Sequence, residues 1–414
     1  MKILWIVNTI FPYPAEQLKI QKTAFGGWLN GLAEQLKNQK DIELGIATVY
    51  NGNEIKKYYD GRVTYYLMPG APAIKYNKHL NKYARIILED FTPEILHIHG
   101  TEYAHGLAFI NVCNEKTKKV VSIQGLVSCI EKVYLASIPY KEILKNITLR
   151  DILKQDNLFQ QKNKFRVRGT NEIEIIKKTD AVIGRTTWDY ANTKEINLKE
   201  KYYHNDEILR QSFYTDEWNV EKCEKYTLFC SQAGYPIKGV HFLLKTVAIL
   251  KQEYPKIKLL IGGENIVNKG IRTTGYAKYL LKLINKYKIS KNIIFTGVLS
   301  ETEMKEKMLK SHIFVLPSAI ENSSNSLGEA MILGMPCVAS NTGGTMDMLE
   351  HKKEGFLYPY TEPAVCAKYI SNLFENDALC ITIGKNARKT AQKRHDPNEN
   401  VRKYIELYEE MIGG

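Results

Sequence analysis

The stretch from His312 to Gly344 constrains the fold more than any other part of this 414-residue chain. Apolar runs at Ile313–Leu316 and Cys337–Ala339 predict two buried parallel strands. Between the runs, Asn325 or Ser326 can begin a helix, and a glycine and a proline follow where it must end. The stretch therefore predicts a strand–helix–strand unit of a doubly wound α/β domain.

Two carboxylates mark this stretch. Glu321 lies in the loop after the first strand and Glu329 lies on the helix, with seven residues between them. Because a helix N-terminus favours anions, carboxylates placed there need other partners, and sugar hydroxyls suit them. A structural interpretation stays open: Ser326 and Glu329 have the spacing of a capping box, and Glu321 could be an ordinary loop residue.

The wider string resembles glycosyltransferase family 4, a retaining group with the GT-B fold. That family carries E-x7-E, E-A-M, G-x-P-V-V-A-S and a G-G turn. The corresponding residues here are Glu321, Glu329–Met331, Gly334–Ser340 and Gly343–Gly344. The resemblance implies an α/β fold with two Rossmann-like domains facing a central cleft. It also implies a nucleotide-sugar donor.

The length predicts two domains, because a single hydrophobic core rarely grows this large. A polar segment at 214–223 marks the change between the two halves. We therefore expect one domain at 1–217 and another at 218–395. The resemblance implies that both are Rossmann-like, that the first binds the acceptor and that the second binds the nucleotide sugar. By resemblance, the helix in 396–414 packs back on the first domain.

The composition indicates where in the cell this protein is located and which kinds of partner suit it. The seven cysteines are scattered without C-x-x-C spacing, which favours reduced thiols in the cytoplasm over a zinc site. No apolar run is long enough to span a bilayer, and the apolar start is typical of a first strand rather than a signal peptide. The net charge of +13 suits anionic lipid or phosphorylated substrates. It does not suggest nucleic acid, because the charge is dispersed and no binding motif accompanies it.

The start of the chain offers a candidate phosphate site. A predicted strand at Ile3–Val7 is followed by Gly26 and Gly27, which open a helix, and this order lets a backbone approach a phosphate. The resemblance places such a loop beside the donor diphosphate. A glycine pair is also common in an ordinary turn, so both interpretations stay open.

Polar residues also follow a later predicted strand, Glu94–His99. His97 and His99 share one face of it; a metal pair would need a third ligand that is not evident, so a packing role is favoured. His99, Thr101 and Glu102 lie where open α/β sheets bind ligands, and we expect them to contact the acceptor.

Two further polar residues follow predicted strands of the first half. Gln124 stands where the resembled family has a histidine beside the reacting sugar. A glutamine can hydrogen-bond a hydroxyl but carries no charge, so we expect donor binding there without proton transfer. Arg185 follows the strand Ala181–Gly184 and is a candidate phosphate partner. A surface arginine is the alternative.

In the second half, Gly234 marks a turn before Lys238 and Gly239. The resembled family has lysine-glycine here on the donor phosphates, preceded by an arginine that is Ala233 in this chain. One expected cation is therefore missing. The resemblance implies further donor contacts from the base-binding loop and from the start of the Glu329 helix. These residues are Gly297, Val298, Ser324, Asn325, Ser326 and Leu327.

The implied reaction moves a hexosyl group, most often from a UDP-sugar in this family, to a hydroxyl of a lipid-linked or polysaccharide acceptor in cell-envelope biosynthesis. No D-x-D motif occurs, so we expect neither a divalent metal nor another cofactor. Protein cations and helix dipoles must then stabilise the departing diphosphate. Lys238 and Glu321 are the candidate catalytic residues. Glu321 would bind the donor sugar, and Glu329 the ribose.

Two other functions stay open. A nucleotide-sugar epimerase-hydrolase has the same fold, and a degenerate, non-catalytic carbohydrate-binding subunit would fit the missing arginine and histidine. A dinucleotide oxidoreductase is disfavoured because no G-x-G-x-x-G follows the first strand.

The region Glu131–Lys178 has helical spacing and mixes basic with apolar residues. Such a pattern is typical of a helix lying on an anionic membrane. A solvated helix face that covers the core has the same appearance. The scattered cysteines predict a cytoplasmic protein. If this region lies on a membrane, we expect the protein to be peripheral at the inner face of the cell membrane.

Overall fold

A computed structural model describes residues 1–20, 27–263 and 272–413. The chain forms two compact units. Unit 1 comprises Met1–Glu131, Lys164–Ile208 and Asp396–Gly414, and unit 2 comprises Lys132–Asn163 and Leu209–His395. Among the described helices, none combines the length and the apolar character needed to cross a membrane.

Unit 1 contains a sheet and the helices that cover it. Each of the helices α5 and α8 includes a point at which the chain passes from one unit to the other. Its elements are β1 (Lys2–Ile6), α1 (Pro12–Gln17), α2 (Gly27–Leu36), β2 (Glu43–Tyr50), β3 (Lys56–Tyr59), β4 (Val63–Pro69), α3 (Leu80–Phe91), β5 (Ile95–His99), α4 (His105–Val112), β6 (Lys118–Ser122), α5 (Val127–Val133), α8 (Leu158–Lys177), β7 (Ala181–Gly184), α9 (Thr187–Ile196), β8 (Lys201–His204) and α16 (Pro397–Gly413).

The sheet of unit 1 is doubly wound. Its strand order is β3-β4-β2-β1-β5-β6-β7-β8, and only the edge pair β3–β4 is antiparallel. Successive side chains of a strand point to opposite faces. Accordingly, Ile3 and Trp5 of β1 enter one apolar core while Leu4 and Ile6 enter another. Both faces of the sheet are therefore buried, which explains the nearly continuous apolar runs of its strands.

The final helix, α16, packs in unit 1. The hydroxyl of Tyr408 accepts a hydrogen bond from Trp5 Nε1 at 3.2 Å and lies 2.6 Å from His97 Nδ1. His97 Nε2 lies 2.7 Å from the hydroxyl of Ser122 on β6. His97 thus uses both ring nitrogens to join two strands to the last helix. This arrangement gives it a structural role, as the sequence favoured.

The buried His97 should make the protein less stable in acid. Burial lowers the pKa of His97 to about 3. Its folded pKa thus lies below the usual value, so stability is present above about pH 6.5 and is lost as pH falls towards the folded value. We expect His97→Gln to reduce the slope of unfolding free energy below pH 6.5 by up to ~1.4 kcal/mol per pH unit. Urea unfolding at several pH values measures this, and an unchanged slope would contradict it.

Unit 2 contains the second sheet, and it also includes two short helices from the first half of the chain. Its elements are α6 (Tyr140–Asn146), α7 (Leu149–Leu153), β9 (Glu224–Cys230), α10 (Val240–Leu250), β10 (Lys258–Gly262), α11 (Gly275–Lys286), β11 (Ile293–Gly297), α12 (Glu301–Lys310), β12 (Ser311–Leu316), α13 (Asn325–Ile332), β13 (Cys337–Ser340), β14 (Phe356–Tyr358), α14 (Pro363–Phe374) and α15 (Asp377–Arg394).

The sheet of unit 2 is entirely parallel, with strand order β11-β10-β9-β12-β13-β14. The chain moves outward from β9 to β10 and β11, then returns to place β12 on the other side of β9. The connections that follow the neighbouring strands β9 and β12 therefore run in opposite directions across the sheet, and the strand order reverses between these two strands. Open α/β sheets bind ligands at such a point.

The region Glu131–Lys178 differs from its prediction in two ways. It is not one helical stretch: Pro139 precedes α6, and Thr148 begins α7 with a capping box to Asp151. The structure also places Lys132–Asn163 in unit 2, although the sequence analysis assigned all of 1–217 to the first domain. The cause is apolar packing, since Ile143 and Leu158 enter the core of unit 2.

The division between the units also lies earlier than the polar segment indicated. The chain passes into unit 2 at Leu209, before the predicted boundary at residue 217. Phe213 and Trp218 are buried in the core of unit 2. The indole of Trp218 donates a hydrogen bond to Ser311 O at 2.8 Å. Two aromatic side chains thus anchor a segment whose other residues are mostly polar.

Candidate active site

The loops after β9 and β12 meet at a glycine. Gly239 has a φ of 67°, and an added Cβ would overlap the carbonyl oxygen of Pro317. Only glycine allows this close approach without strain. The contact holds the preceding residue, Lys238, against the loop that carries Glu321.

Lys238 and Glu321 form the centre of the site. Lys238 Nζ donates to Glu321 Oε1 at 2.7 Å, and the hydroxyl of Ser318 donates to the same oxygen at 2.7 Å. Both charged side chains are largely shielded from solvent, with exposed fractions of 24% for Lys238 and 12% for Glu321. The second carboxylate oxygen of Glu321 makes neither of these two contacts.

The backbone of Glu321 is held by the glycine turn after β13. Gly344 N donates to Glu321 O at 2.9 Å. Gly343 has a φ of 54°, and a side chain there would overlap the same carbonyl. The predicted tight turn therefore fixes the loop that presents the carboxylate.

Hydroxyl groups surround the ion pair. A small cavity of about 30 Å³ lies beside it, and its polar lining includes Ser231, Gln232 and Ser326. The hydroxyl of Ser231 donates to that of Ser326 at 2.9 Å, and the hydroxyls of Ser324 and Ser326 are 3.2 Å apart. The cavity thus combines a cation, a carboxylate and several groups that can either donate or accept.

The helix α13 begins beside this cavity. Its N-cap is Ser324, whose hydroxyl accepts from Leu327 N. The capping box suggested for Ser326 and Glu329 is absent from this described helix, because Glu329 pairs with another residue. The first turn, which includes Asn325, therefore directs its N–H groups towards the cavity end of the helix, where an anion is favoured.

Glu329 forms a buried, two-bonded ion pair with Arg210. Arg210 Nε donates to Oε1 at 2.6 Å and Nη2 donates to Oε2 at 2.7 Å. Burial raises the pKa of Glu329, and the guanidinium opposes that rise. The sequence analysis did not identify Arg210, and no motif spacing marks it. A carboxylate held this way keeps further lone pairs for a hydroxyl.

The remaining predicted residues of unit 2 lie in the loop after β9 and at the end of β11. Ala233, where the family arginine is missing, is buried. Gly234 and Gly297 each have open space where a side chain would stand, and Gly297 ends the edge strand β11 with a φ of 78°. Val298 is largely exposed. These positions leave room for a ligand.

Among the described donor residues predicted in unit 1, Arg185 is the one whose surroundings differ from expectation. Gly26 lies outside the described residues, and Gly27 is the first residue of α2. Gln124 follows β6 and is partly exposed. Arg185 is buried, with Nη2 only 2.6 Å from Glu207 Oε1. Arg185 is therefore not a surface arginine, and the carboxylate of Glu207 neutralises its charge.

The predicted acceptor residues follow β5. Thr101 is buried and donates to Glu172 at 2.6 Å, which is a structural contact. Glu102 accepts from Asn8 Nδ2 at 2.8 Å, and burial raises its pKa to about 7. The ring of His99 lies 4.4 Å from that of Trp5, and neither of its nitrogens has a hydrogen-bond partner among the described residues. His99 and Glu102 thus retain unused polar capacity, while the hydroxyl proton of Thr101 is already donated to Glu172.

Comparison with known proteins shows that the part of the chain around this site is similar to glycosyltransferases. Residues 213–390 match the family model described as "Glycosyl transferases group 1". An uncharacterized glycosyltransferase of Bacillus subtilis, YqgM, is 27% identical over 185 residues, which are 45% of this chain and 49% of that protein. The N-acetyl-alpha-D-glucosaminyl L-malate synthase of Bacillus anthracis is 23% identical over 197 residues, covering 47% of this chain and 48% of that protein. The chain thus spans about half the length of these curated relatives.

Solved structures match over nearly the whole chain. Sucrose-phosphate synthase from Thermosynechococcus elongatus has a TM-score of 0.71 at 14% identity, covering 100% of this chain and 99% of that one. HepE from Anabaena, solved in complex with UDP and glucose, has a TM-score of 0.68 at 16% identity, with 99% of both chains covered. The predicted GT-B fold is therefore confirmed. The group 1 glycosyltransferase match lies within unit 2, which holds the Lys238–Glu321 pair.

Proposed function

We propose that this protein is a retaining glycosyltransferase of family 4 type. It moves a hexosyl group from a UDP-sugar to a hydroxyl of a lipid-linked or polysaccharide acceptor, in a cytoplasmic pathway of cell-envelope biosynthesis. The observation that carries the proposal is the shielded Lys238–Glu321 pair beside a hydroxyl-lined cavity. The group 1 match around it and the UDP and glucose bound by the HepE structure support the choice of donor.

The pair suits a departing diphosphate. When the bond between the anomeric carbon and the phosphate oxygen breaks, negative charge grows on that oxygen, and a nearby ammonium stabilises it. The ammonium group of Lys238 can donate some of its hydrogen bonds to the phosphate, while the carboxylate of Glu321 accepts hydrogen bonds from sugar hydroxyls. The acceptor oxygen forms the new bond from the same face and gives its proton to the departing phosphate oxygen. No side-chain nucleophile is required in this scheme.

Other parts of the proposal concern the remaining ligand groups. Glu329 keeps lone pairs for the ribose hydroxyls while Arg210 holds it in place. The start of α13 receives the phosphate through its N–H groups. His99 and Glu102 are the proposed acceptor contacts. We also propose that the reaction needs no divalent metal, because the sequence lacks D-x-D, and that the protein binds the inner membrane surface peripherally.

The proposal is tested by measuring transfer with a panel of nucleotide sugars. We expect one UDP-sugar to raise the melting temperature and to support transfer to a cell-envelope acceptor, with undiminished rate in EDTA. Epimer formation from donor alone would instead favour the epimerase-hydrolase. Donor-independent glycan binding without turnover would favour the binding subunit. A requirement for added Mg²⁺ or Mn²⁺ would contradict metal independence.

Glu321→Gln sharpens the test. We expect kcat/KM to fall by at least about tenfold, because the amide no longer holds Lys238 or accepts equally from sugar hydroxyls. The melting temperature should hardly change, because glutamine has nearly the same size as glutamate and fills the same space. Glu306→Gln, an exposed carboxylate change on α12, is the matched control. A large loss of stability with normal kcat would show that Glu321 is only structural.

A further inference from the structure

Two short helices of unit 2 carry a concentrated set of exposed apolar side chains. Each of these side chains is between 60% and 75% exposed, and they are Tyr140 and Leu144 on α6 with Leu149, Ile152 and Leu153 on α7. Within each helix they recur three or four residues apart, so they share one side of the helix. We call these five residues the α6–α7 face.

The opposite sides of both helices are buried against the same neighbour. Asn146 of α6 and Asp151 of α7 line one small cavity together with Gly275 and Tyr279 of α11. Because the two inner sides meet around this cavity, the two apolar outer sides are turned away from α11. The exposed residues therefore do not serve the core of unit 2.

The α6–α7 face is held in place by specific contacts. Asp151 Oδ2 accepts from Gly275 N at 2.8 Å, which joins α7 to the start of α11. Lys282 Nζ donates to Glu142 at 2.6 Å, which joins α6 to α11. Thr148 also caps α7. The apolar side chains are thus displayed on fixed helices rather than on a loosely attached loop.

The charge around the face is positive. The acidic residues on these helices are engaged: Glu142 with Lys282, and Asp151 with the backbone of Gly275. By contrast, Lys141, Lys145 and Lys154 are exposed, and their ammonium groups form no ion pair within the described parts of the chain. An apolar face bordered by these lysines is complementary to an anionic lipid surface, in which charged headgroups lie above apolar acyl chains.

We propose that the α6–α7 face docks this protein on an anionic lipid membrane. The leucines, isoleucine and tyrosine enter the boundary between headgroups and acyl chains, and the three lysines contact the phosphates of the headgroups. A second copy of the chain is a poorer occupant, because a two-fold contact would bring the lysines of both copies together. The inference rests on the proposed function in that the membrane would carry the acceptor, and it assigns the contact to unit 2 rather than to the first domain.

Vesicle co-sedimentation of the full chain tests the docking, without donor or acceptor. With vesicles of phosphatidylcholine and phosphatidylglycerol, we expect binding that weakens as salt rises and that falls sharply on pure phosphatidylcholine. The triple change Leu149→Ser, Ile152→Ser and Leu153→Ser should weaken binding by about tenfold or more, because apolar insertion is lost. Leu198→Ser, which alters an even more exposed leucine of unit 1, is the matched control and should bind normally.

A second variant separates the charge from the apolar contribution. Changing Lys141, Lys145 and Lys154 to glutamine should remove most of the salt dependence. Equal vesicle binding by the wild type and the serine triple variant would overturn the inference, as would no binding at all. A dimer in sedimentation velocity that the serine changes dissociate would assign the face to a second copy instead. Absence of sugar transfer by a protein that still binds vesicles would contradict only the proposed function.

Discussion

Lys238→Ala is expected to lower kcat by about a hundredfold or more, the usual effect of removing a group that stabilises a developing oxyanion. The ammonium lies 2.7 Å from Glu321 and borders the hydroxyl-lined cavity, so its loss removes both the proposed phosphate contact and the partner of the sugar-binding carboxylate. Donor affinity should fall less than kcat, because the charge on the phosphate grows as the bond breaks. Steady-state kinetics with the donor found in the panel measures both quantities.

The matched control is Lys245→Ala, which removes an exposed lysine from the helix that follows Lys238. It should leave kcat, KM and the melting temperature unchanged. Lys238→Arg retains the charge in a larger, planar group and should recover part of the rate. Normal turnover by Lys238→Ala would remove this residue from the chemistry and leave the proposed mechanism without its cation.

The second large effect is expected on stability rather than on rate. Arg210→Met leaves the carboxylate of Glu329 buried without its two-bonded partner, and breaking such a pair typically costs about 3–5 kcal/mol. Burial already raises the pKa of Glu329, so the orphaned carboxyl should take up a proton more readily still. Its folded pKa then lies above the unfolded value. The defect should therefore be smallest at low pH and grow as pH rises through the folded pKa.

Chemical unfolding of Arg210→Met at two pH values measures this effect. Adding Glu329→Gln should recover much of the lost stability, because a neutral amide is less costly to bury alone. Arg402→Met, which breaks exposed pairs with Glu399 and Glu406 on α16, is the control and should change stability by no more than about 1 kcal/mol. The guanidinium carbon of Arg210 also lies 4.7 Å from the centre of the Phe213 ring. A loss at Arg210 that is equal at both pH values would show that this packing, rather than the buried charge, is what matters.

The sequence was most informative where local patterns and tertiary packing agree. The apolar run Ile313–Leu316, the helix that begins near Ser326 and the run Cys337–Ala339 became β12, α13 and β13. Lys238-Gly239 lies in the loop after β9, following the turn marked by Gly234, and the close approach of Pro317 requires the glycine. Strand runs and glycine positions are local signals, so a single sequence displays them directly.

Other features depend on residues that are distant in sequence. Arg210 and Glu329 are 119 positions apart, and nothing near either residue indicates the pairing. The helices α6 and α7 belong to unit 2 because their inner sides contact α11, which appears more than a hundred residues later. The position of Arg185 after a strand predicts an available cation, but the buried carboxylate of Glu207 pairs with it. Each of these arrangements depends on which residues are neighbours in the folded protein, and the local sequence does not indicate those neighbours.

Unit 2 is formed by two separate segments of the chain, and this affects how the protein folds during synthesis and where it can be truncated. Residues 132–163 leave the ribosome well before α11, so the inner sides of α6 and α7 stay uncovered until α11 has been synthesised. A truncated chain that starts at Leu209 would retain every strand of the second sheet. It would lack Asp151, however, and would leave the start of α11 uncovered. Cutting the gene at the apparent linker should therefore yield an aggregation-prone fragment, whereas supplying residues 132–163 as a separate peptide should restore its solubility.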